Sequence, residues 1–132
     1  MPNRDLVNNL GPAPSVAPAV HTNGTVNGAE VDLRGFDSAM IAIIAGTITD
    51  GTHTFEVQES DTSGSGFAAV AAADLDGTEP ALTSADSDTI SKVGYRGSKR
   101  YIRVVNVTTS ATTGGLLAAI VERGHPSQAP VA

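Results

Sequence analysis

The sequence contains no cysteine and no tryptophan, and only five of its 132 residues are tyrosine or phenylalanine. Without cysteine, a disulfide framework, a thiolate zinc site and a cysteine nucleophile are excluded. No apolar run approaches the roughly 20 residues of a membrane-spanning helix, and we expect no secretory signal because no charged segment precedes a long apolar one. Basic residues are also few: 8 Lys and Arg stand against 14 Asp and Glu. This net charge of −6 argues against nucleic acid as a partner.

Short β-branched and apolar runs separated by turn-forming residues predict an all-β chain. Residues 39–45 are apolar at alternate positions on both faces, which predicts a central strand covered on both sides. In the alternating stretch 53–58, Phe55 and Val57 are expected in the core. Further strands are predicted at residues 101–107 and 116–121, and weaker ones at 29–33, 67–70 and 90–93. We therefore expect an antiparallel β-sandwich or jelly roll of about seven to eight strands in one domain.

Two local features qualify this fold. Asp50-Gly51 lies between two strong strand candidates and predicts a β-hairpin. Residues 67–75 are rich in alanine, so a short helix or turn competes there with a strand.

The ends of the chain differ in composition from its middle. Residues 1–24 contain four prolines, which oppose helix and favour an extended arm. This arm is either flexible or lies along the body as an edge strand. We expect the β-sandwich body at residues 25–123 and an extended tail at residues 124–132, where two more prolines occur.

Charge is segregated along the chain. Residues 50–88 carry nine Asp and Glu and no Lys or Arg, whereas residues 92–103 carry five of the eight basic side chains and no acid. One interpretation is that the two segments are neighbours whose charges pair across the sheet. The other is that an acidic and a basic rim bind different copies or partners. A platform on which Tyr95 and Tyr101 stack with nucleic-acid bases is disfavoured by the net negative charge of the chain.

The sequence offers little that indicates catalysis. His21, His53 and His125 are far apart and lack the spacing of a zinc motif. Residues 74–79 and 86–88 contain carboxylates of the kind that bind calcium, but not at EF-hand spacing, so solvated loops are the favoured interpretation. No catalytic residue, cofactor or metal site is expected, and the chain is predicted not to be an enzyme.

Five stretches together resemble small virion structural proteins of tailed bacteriophages. They are residues 31–38 (VDLRGFDS), 57–61 (VQESD), 70–77 (VAAADLDG), 92–101 (KVGYRGSKRY) and 124–126 (GHP). These relatives look like capsid decoration (cement) proteins with a β-sandwich or jelly-roll body. The resemblance spans about residues 28–132. It implies a structural role on the capsid surface of the virion, after synthesis in the host bacterial cytoplasm. It also implies the major capsid protein as partner, and we expect a homo-oligomer, dimer or trimer, with no membrane partner.

For such a role we predict two kinds of contact residue. Electrostatic contacts are assigned to Arg96, Lys99, Arg100 and Arg103, and apolar contacts to Val16, Val20 and Phe36. The residues before position 21 are expected to tether the protein to the shell, and the tail at residues 124–132 is a second candidate tether. The alternative function is a receptor- or glycan-binding module of a tail fibre or head spike, because β-sandwiches present binding sites on their loops.

Overall fold

A computed structural model describes residues 6–127, which form two antiparallel β-sheets and no α-helix. In chain order the strands are β1 (Gly11–His21), β2 (Gly24–Asn27), β3 (Val31–Asp32), β4 (Phe36–Ile48), β5 (Thr52–Ser60), β6 (Ala68–Ala69), β7 (Leu75–Asp76), β8 (Ala81–Leu82), β9 (Ile90–Tyr95), β10 (Tyr101–Thr109) and β11 (Gly115–Pro126). Two short 3-10 turns lie at Ala72–Asp74 and Ser84–Asp86. Within the described range, no helix has the length and apolar character to cross a membrane.

The strand order is that of a jelly roll. The first sheet runs β1-β11-β4-β9-β7, and the second runs β2-β10-β5-β6, with β3 beside β10 and β8 beside β5. If β1, β2, β4, β5, β6, β9, β10 and β11 are counted as strands 1 to 8, the sheets read 1-8-3-6 and 2-7-4-5. The chain therefore crosses between sheets at almost every connection, as in paired Greek keys. The predicted fold class is confirmed.

The core lies between the inner faces of the two sheets. Alternation along each strand places every second side chain there. Phe55 and Val57 are each 1% exposed, as predicted. The other members include Ile41, Ile43, Ile102, Val104, Leu117, Ala119 and Val121. Small and β-branched side chains thus fill a core in which only Phe55 and Tyr95 are aromatic among the described members.

The middle of the proline-rich segment is an edge strand of the first sheet. Residues Gly11–His21 pair with β11, and Val16 lies in the core at 1% exposure. Prolines are tolerated there because an edge strand has one side without ladder hydrogen bonds. The predicted tail boundary at residue 124 falls inside β11. Residues 1–5 and 128–132, which the predicted arm and tail include, lie outside the described residues.

The hairpin predicted at Asp50-Gly51 is wrong. The turn is present, with Gly51 at φ 85°, but β4 pairs with β9 and β11 while β5 pairs with β10. The turn therefore passes the chain from one sheet to the other. A turn-forming dipeptide reports local backbone shape and not which strands pair.

Coverage of β4 also differs from the prediction. The strand is central in its sheet, between β11 and β9, but among the described residues only its inner face is covered, by the second sheet. On the outer face Ile44 is 38% exposed. The alanine-rich segment contains both a strand and a turn, because β6 is followed by the 3-10 turn at Ala72–Asp74.

Candidate partner-binding cleft

Two loops meet at one end of the sandwich and enclose a cleft of about 380 Å³. One wall is residues 33–35, which join β3 to β4, together with residues 36–39 at the start of β4. The other wall is Tyr95 with residues 97–100, which join β9 to β10. The Leu33 N–H donates a 2.8 Å hydrogen bond to the carbonyl of Arg100, so the backbones of the two walls are directly connected.

Tyr95 supports the second wall from inside. Its hydroxyl donates to a Glu59 carboxylate oxygen at 2.7 Å and accepts the Lys99 N–H at 3.1 Å. Burial, reinforced by the bond to Glu59, raises the pKa of Tyr95 above its usual range, so the group stays a neutral donor. Gly97 packs directly on the ring, where a Cβ would overlap the hydroxyl and its ring carbon. The residue at position 97 therefore has to be small.

Three ion pairs fix the 96–100 loop to neighbouring segments. They are Arg96–Asp76 at 3.2 Å, Lys99–Asp61 at 2.7 Å and Arg100–Asp32 at 2.8 Å. The last is a two-pronged contact, because the Arg100 Nε also donates to Asp32 at 3.0 Å. The hydrogen bond from Arg100 lowers the pKa of Asp32, and the acidic partners raise the pKa values of Lys99 and Arg100. These pairs are exposed, so each contributes little stability; together they set the position of the loop.

Phe36 and Arg123 fix the first wall. The Arg123 guanidinium lies 4.6 Å from the centre of the Phe36 ring. Arg123 also donates to the carbonyls of Gly11 at 2.9 Å and Asp32 at 3.0 Å. One cation thereby holds β1, β3 and the start of β4 together.

Two charges in the first wall remain open to a partner. Arg34 and Asp37 are exposed, and neither has an ion-pair partner within residues 6–127. Sequence reasoning did not single out either residue. Gly35 lies between β3 and β4 at φ 89° and marks a tight turn that exposes the side chains on either side of it. This glycine is the sequence signal that could have indicated Arg34 and Asp37.

The structure brings together three of the seven predicted contact residues: Phe36, Lys99 and Arg100 line the cleft. Arg96 lies beside it in its pair with Asp76. Arg103 lies on the second sheet, where it donates to Gln58 at 2.8 Å and stacks 4.4 Å from the Phe67 ring centre. That the seven residues contact a partner stays a prediction.

The two apolar residues of β1 are placed differently. Val16 packs in the core, so its observed role is structural, whereas Val20 is 59% exposed at the edge of the first sheet. Two of the five basic side chains at residues 92–103, Arg96 and Lys99, pair with the acidic segment, whereas Arg100 pairs with Asp32 outside it. The first interpretation of the segregated charges therefore holds in part.

Three of the five carboxylates considered for calcium are engaged with the protein itself. Asp76 pairs with Arg96, Glu79 accepts the Val57 N–H, and Asp86 accepts the Thr83 N–H in a capping box. In the part of the chain that the structure describes, no three His, Asp or Glu side chains are grouped to hold a metal.

The three histidines occupy two different environments. His125 is exposed, and its Nδ1 lies 2.6 Å from Ser38 Oγ in a second depression of about 550 Å³. His53 is fully buried and bonds Thr108 Oγ1 at 2.9 Å and the Asp50 carbonyl at 3.1 Å. His21 is also buried, and burial lowers its pKa.

No protein-family model matches the chain, and no curated protein matches it. Among solved structures, one similar chain comes from "Structure of infectious bursal disease virus Gx strain", with 13% identity and a TM-score of 0.45. The match covers 92% of this chain and 35% of that chain, so this chain spans about a third of the other's length.

Proposed function

We propose that this chain is a virion structural protein: a decoration (cement) protein that binds the outside of a phage head and stabilises contacts between major capsid subunits. It acts by binding and catalyses no reaction. One observation supports the proposal above the others. Two of the five stretches that resemble phage decoration proteins, residues 31–38 and 92–101, supply the two walls of the cleft.

The cleft has the chemistry of a protein-binding site. Leu33 and Phe36 offer apolar surface, and the unpaired charges of Arg34 and Asp37 stand at the edge. Charges of this kind fix the register of a complex and speed encounter more than they add affinity. Because the ion pairs and Tyr95 already order the second wall, little entropy is lost there on binding.

The jelly-roll architecture agrees with this role by analogy only. This architecture occurs both in viral capsid domains and in lectins, so it does not by itself assign a function. It does make the alternative concrete, since a lectin-like module would bind a glycan instead of a shell.

The proposed tether is narrower than the sequence suggested. Removal of residues 1–20 would delete most of β1 and the core residue Val16, and would damage the sandwich itself. We therefore assign the tether to residues 1–10, in which Leu6 and Val7 are 65% and 82% exposed.

The proposal is tested by binding of the full chain to undecorated shells of its own virus. The double variant Arg34→Glu with Asp37→Lys reverses both open charges of the cleft and leaves the net charge unchanged. We expect wild type to sediment with shells and to raise their disruption temperature, and the double variant to bind at least about tenfold more weakly.

Thr25→Glu is the control, because Thr25 is exposed on β2 in the second sheet and does not line the cleft. It should bind shells as wild type does. If wild type does not bind shells but does bind immobilised glycans, the proposal is contradicted and the lectin-like alternative is favoured.

A further inference from the structure

Four polar side chains are buried together at the end of the sandwich opposite the cleft. They are His21 of β1, His53 of β5, and Asn106 and Thr108 of β10, each at most 6% exposed. Thr108 is level with His53 on one side and with Gly24 on the other, and a two-residue connection joins His21 to Gly24. Burial lowers the pKa of His21, and repulsion between the charged forms of His21 and His53 adds to this, so the two rings are near each other. We call these four side chains the buried polar cluster.

Two polar atoms of the cluster have no hydrogen-bond partner among the described residues. One is Nε2 of His21, and the other is one end of the Asn106 side-chain amide. Such atoms are rare in protein interiors, and buried water molecules commonly bond to them. Which group can pair with these two atoms depends on whether each of them donates or accepts.

His21 presents an acceptor. Its other ring nitrogen, Nδ1, bonds to the Leu117 backbone, and this bond raises the pKa of the ring against the larger lowering by burial. A backbone group that favours the charged ring is a carbonyl, so Nδ1 carries a proton and donates it. In the neutral ring Nε2 then has a lone pair and no proton. The unpartnered Nε2 therefore requires a donor.

His53 takes the only proton of the Thr108 hydroxyl. His53 is fully buried and has no ion-pair partner within residues 6–127, so a charged ring would be costly and the ring is neutral. Its Nε2 lies 3.1 Å from the Asp50 carbonyl, which can only accept, so Nε2 carries the ring proton. Nδ1 is then an acceptor, and Thr108 Oγ1 donates to it at 2.9 Å.

Asn106 consequently presents an acceptor as well. One end of its amide lies 2.9 Å from Thr108 Oγ1, whose proton is already used. The two ends of an amide have the same shape, and the hydrogen-bond partners decide which end is nitrogen. The end next to Thr108 has to be the NH₂ group, which donates to the hydroxyl oxygen. The unpartnered end of Asn106 is therefore the carbonyl oxygen.

We infer that one water molecule is bound inside the buried polar cluster and donates one proton to His21 Nε2 and the other to the Asn106 carbonyl oxygen. Water has the two protons that two acceptors require, and no described side chain supplies them. The site connects β1 of the first sheet to β10 of the second, as Tyr95 and Glu59 connect the sheets at the cleft end. This inference does not depend on the proposed function.

NMR of the isotope-labelled full chain tests the proton count first. At about pH 8, above the usual His pKa of about 6.5, nitrogen–proton spectra of the rings should show His21 protonated on Nδ1 and His53 protonated on Nε2. A proton on His21 Nε2 would overturn the inference, because that atom would donate. A proton on His53 Nδ1 would overturn it equally, because Thr108 could then donate to Asn106.

Water–protein cross-relaxation tests the site itself. In wild type, the carbon-bound Hε1 of His21, beside Nε2, should show contact with a long-lived water. Asn106→Leu removes the carbonyl oxygen and should abolish this signal. Asn27→Leu is the matched control, because Asn27 is exposed on the neighbouring strand β2; it should keep the signal.

The inference is overturned if wild type shows no long-lived water at His21, or if folded Asn106→Leu keeps the signal. Circular dichroism checks the fold of each variant. Where Asn106→Leu does not fold, the wild-type ring protons and the wild-type water signal decide between the two results.

Discussion

The Tyr95 hydroxyl donates a 2.7 Å hydrogen bond to the Glu59 carboxylate and connects the two sheets at the cleft end of the sandwich. Tyr95 ends β9 in the first sheet, and Glu59 lies near the end of β5 in the second. The same oxygen accepts the Lys99 N–H of the loop that forms one wall of the cleft. One buried phenol therefore contributes both to the stability of the sandwich and to the placement of the loop.

Tyr95→Phe should destabilise the fold by about 1–2 kcal/mol, because it removes a hydrogen bond to a charged group and leaves the Lys99 N–H without its acceptor. Urea denaturation followed by circular dichroism measures the change. Tyr101→Phe is the control: its hydroxyl has no hydrogen-bond partner within the described range, and we expect less than about 0.5 kcal/mol. Equal losses for the two variants would contradict the role assigned to Tyr95.

Gly97→Ala should destabilise the protein by about 1–3 kcal/mol, the usual cost of forcing extra volume into a packed site. The added methyl group would overlap the Tyr95 ring, so the ring or the loop has to move. Ser98→Ala in the same loop adds no volume and is expected to be close to neutral. Unfolding in urea compares the two, and an unchanged Gly97→Ala midpoint would show that the glycine is not needed for packing.

Local features of the fold were predictable from the sequence, and long-range ones were not. Alternation at residues 53–58 correctly placed Phe55 and Val57 in the core because it depends on strand geometry alone. The partners of Asp50-Gly51 and the coverage of β4 depend on which strands pair, and that is decided by contacts across the whole chain. The contact between Asp32 and Arg100 joins residues 68 positions apart, and nothing in their local sequence specifies it.

Asp50 should make the free energy of unfolding depend on pH in the acidic range. Its carboxylate accepts the N–H groups of Gly114, Thr113 and Thr112, with the Gly114 bond at 2.7 Å. These bonds lower the pKa of Asp50 below 3.8. A carboxyl whose pKa is lower in the folded state stabilises the fold above pH 3.8 and loses that contribution as pH falls towards the folded value.

Asp50→Asn should therefore lower stability at neutral pH and flatten its decline below pH 4. Thr49→Asn, at the preceding exposed position, is the control for introducing asparagine. Urea midpoints between pH 2.5 and 7 measure both variants. Parallel curves for wild type and Asp50→Asn would refute the assignment.

His21 should give a second, separate pH dependence near neutrality. The ring is 6% exposed, its hydrogen bond to the Leu117 backbone only partly offsets burial, and the pKa is lowered from 6.5. The unfolded chain therefore binds the proton more readily than the folded one.

Stability should accordingly be full above about pH 7 and fall as pH drops below 6.5, with a slope of at most about 1.4 kcal/mol per pH unit for one proton. His21→Asn keeps a side-chain donor but cannot titrate, so it should be less stable at pH 7 and have a smaller slope between pH 7 and 5. Thr22→Asn, at the next and exposed position, should keep the wild-type slope. Urea unfolding at several pH values measures these slopes, and a wild-type slope in His21→Asn would assign the dependence to another group.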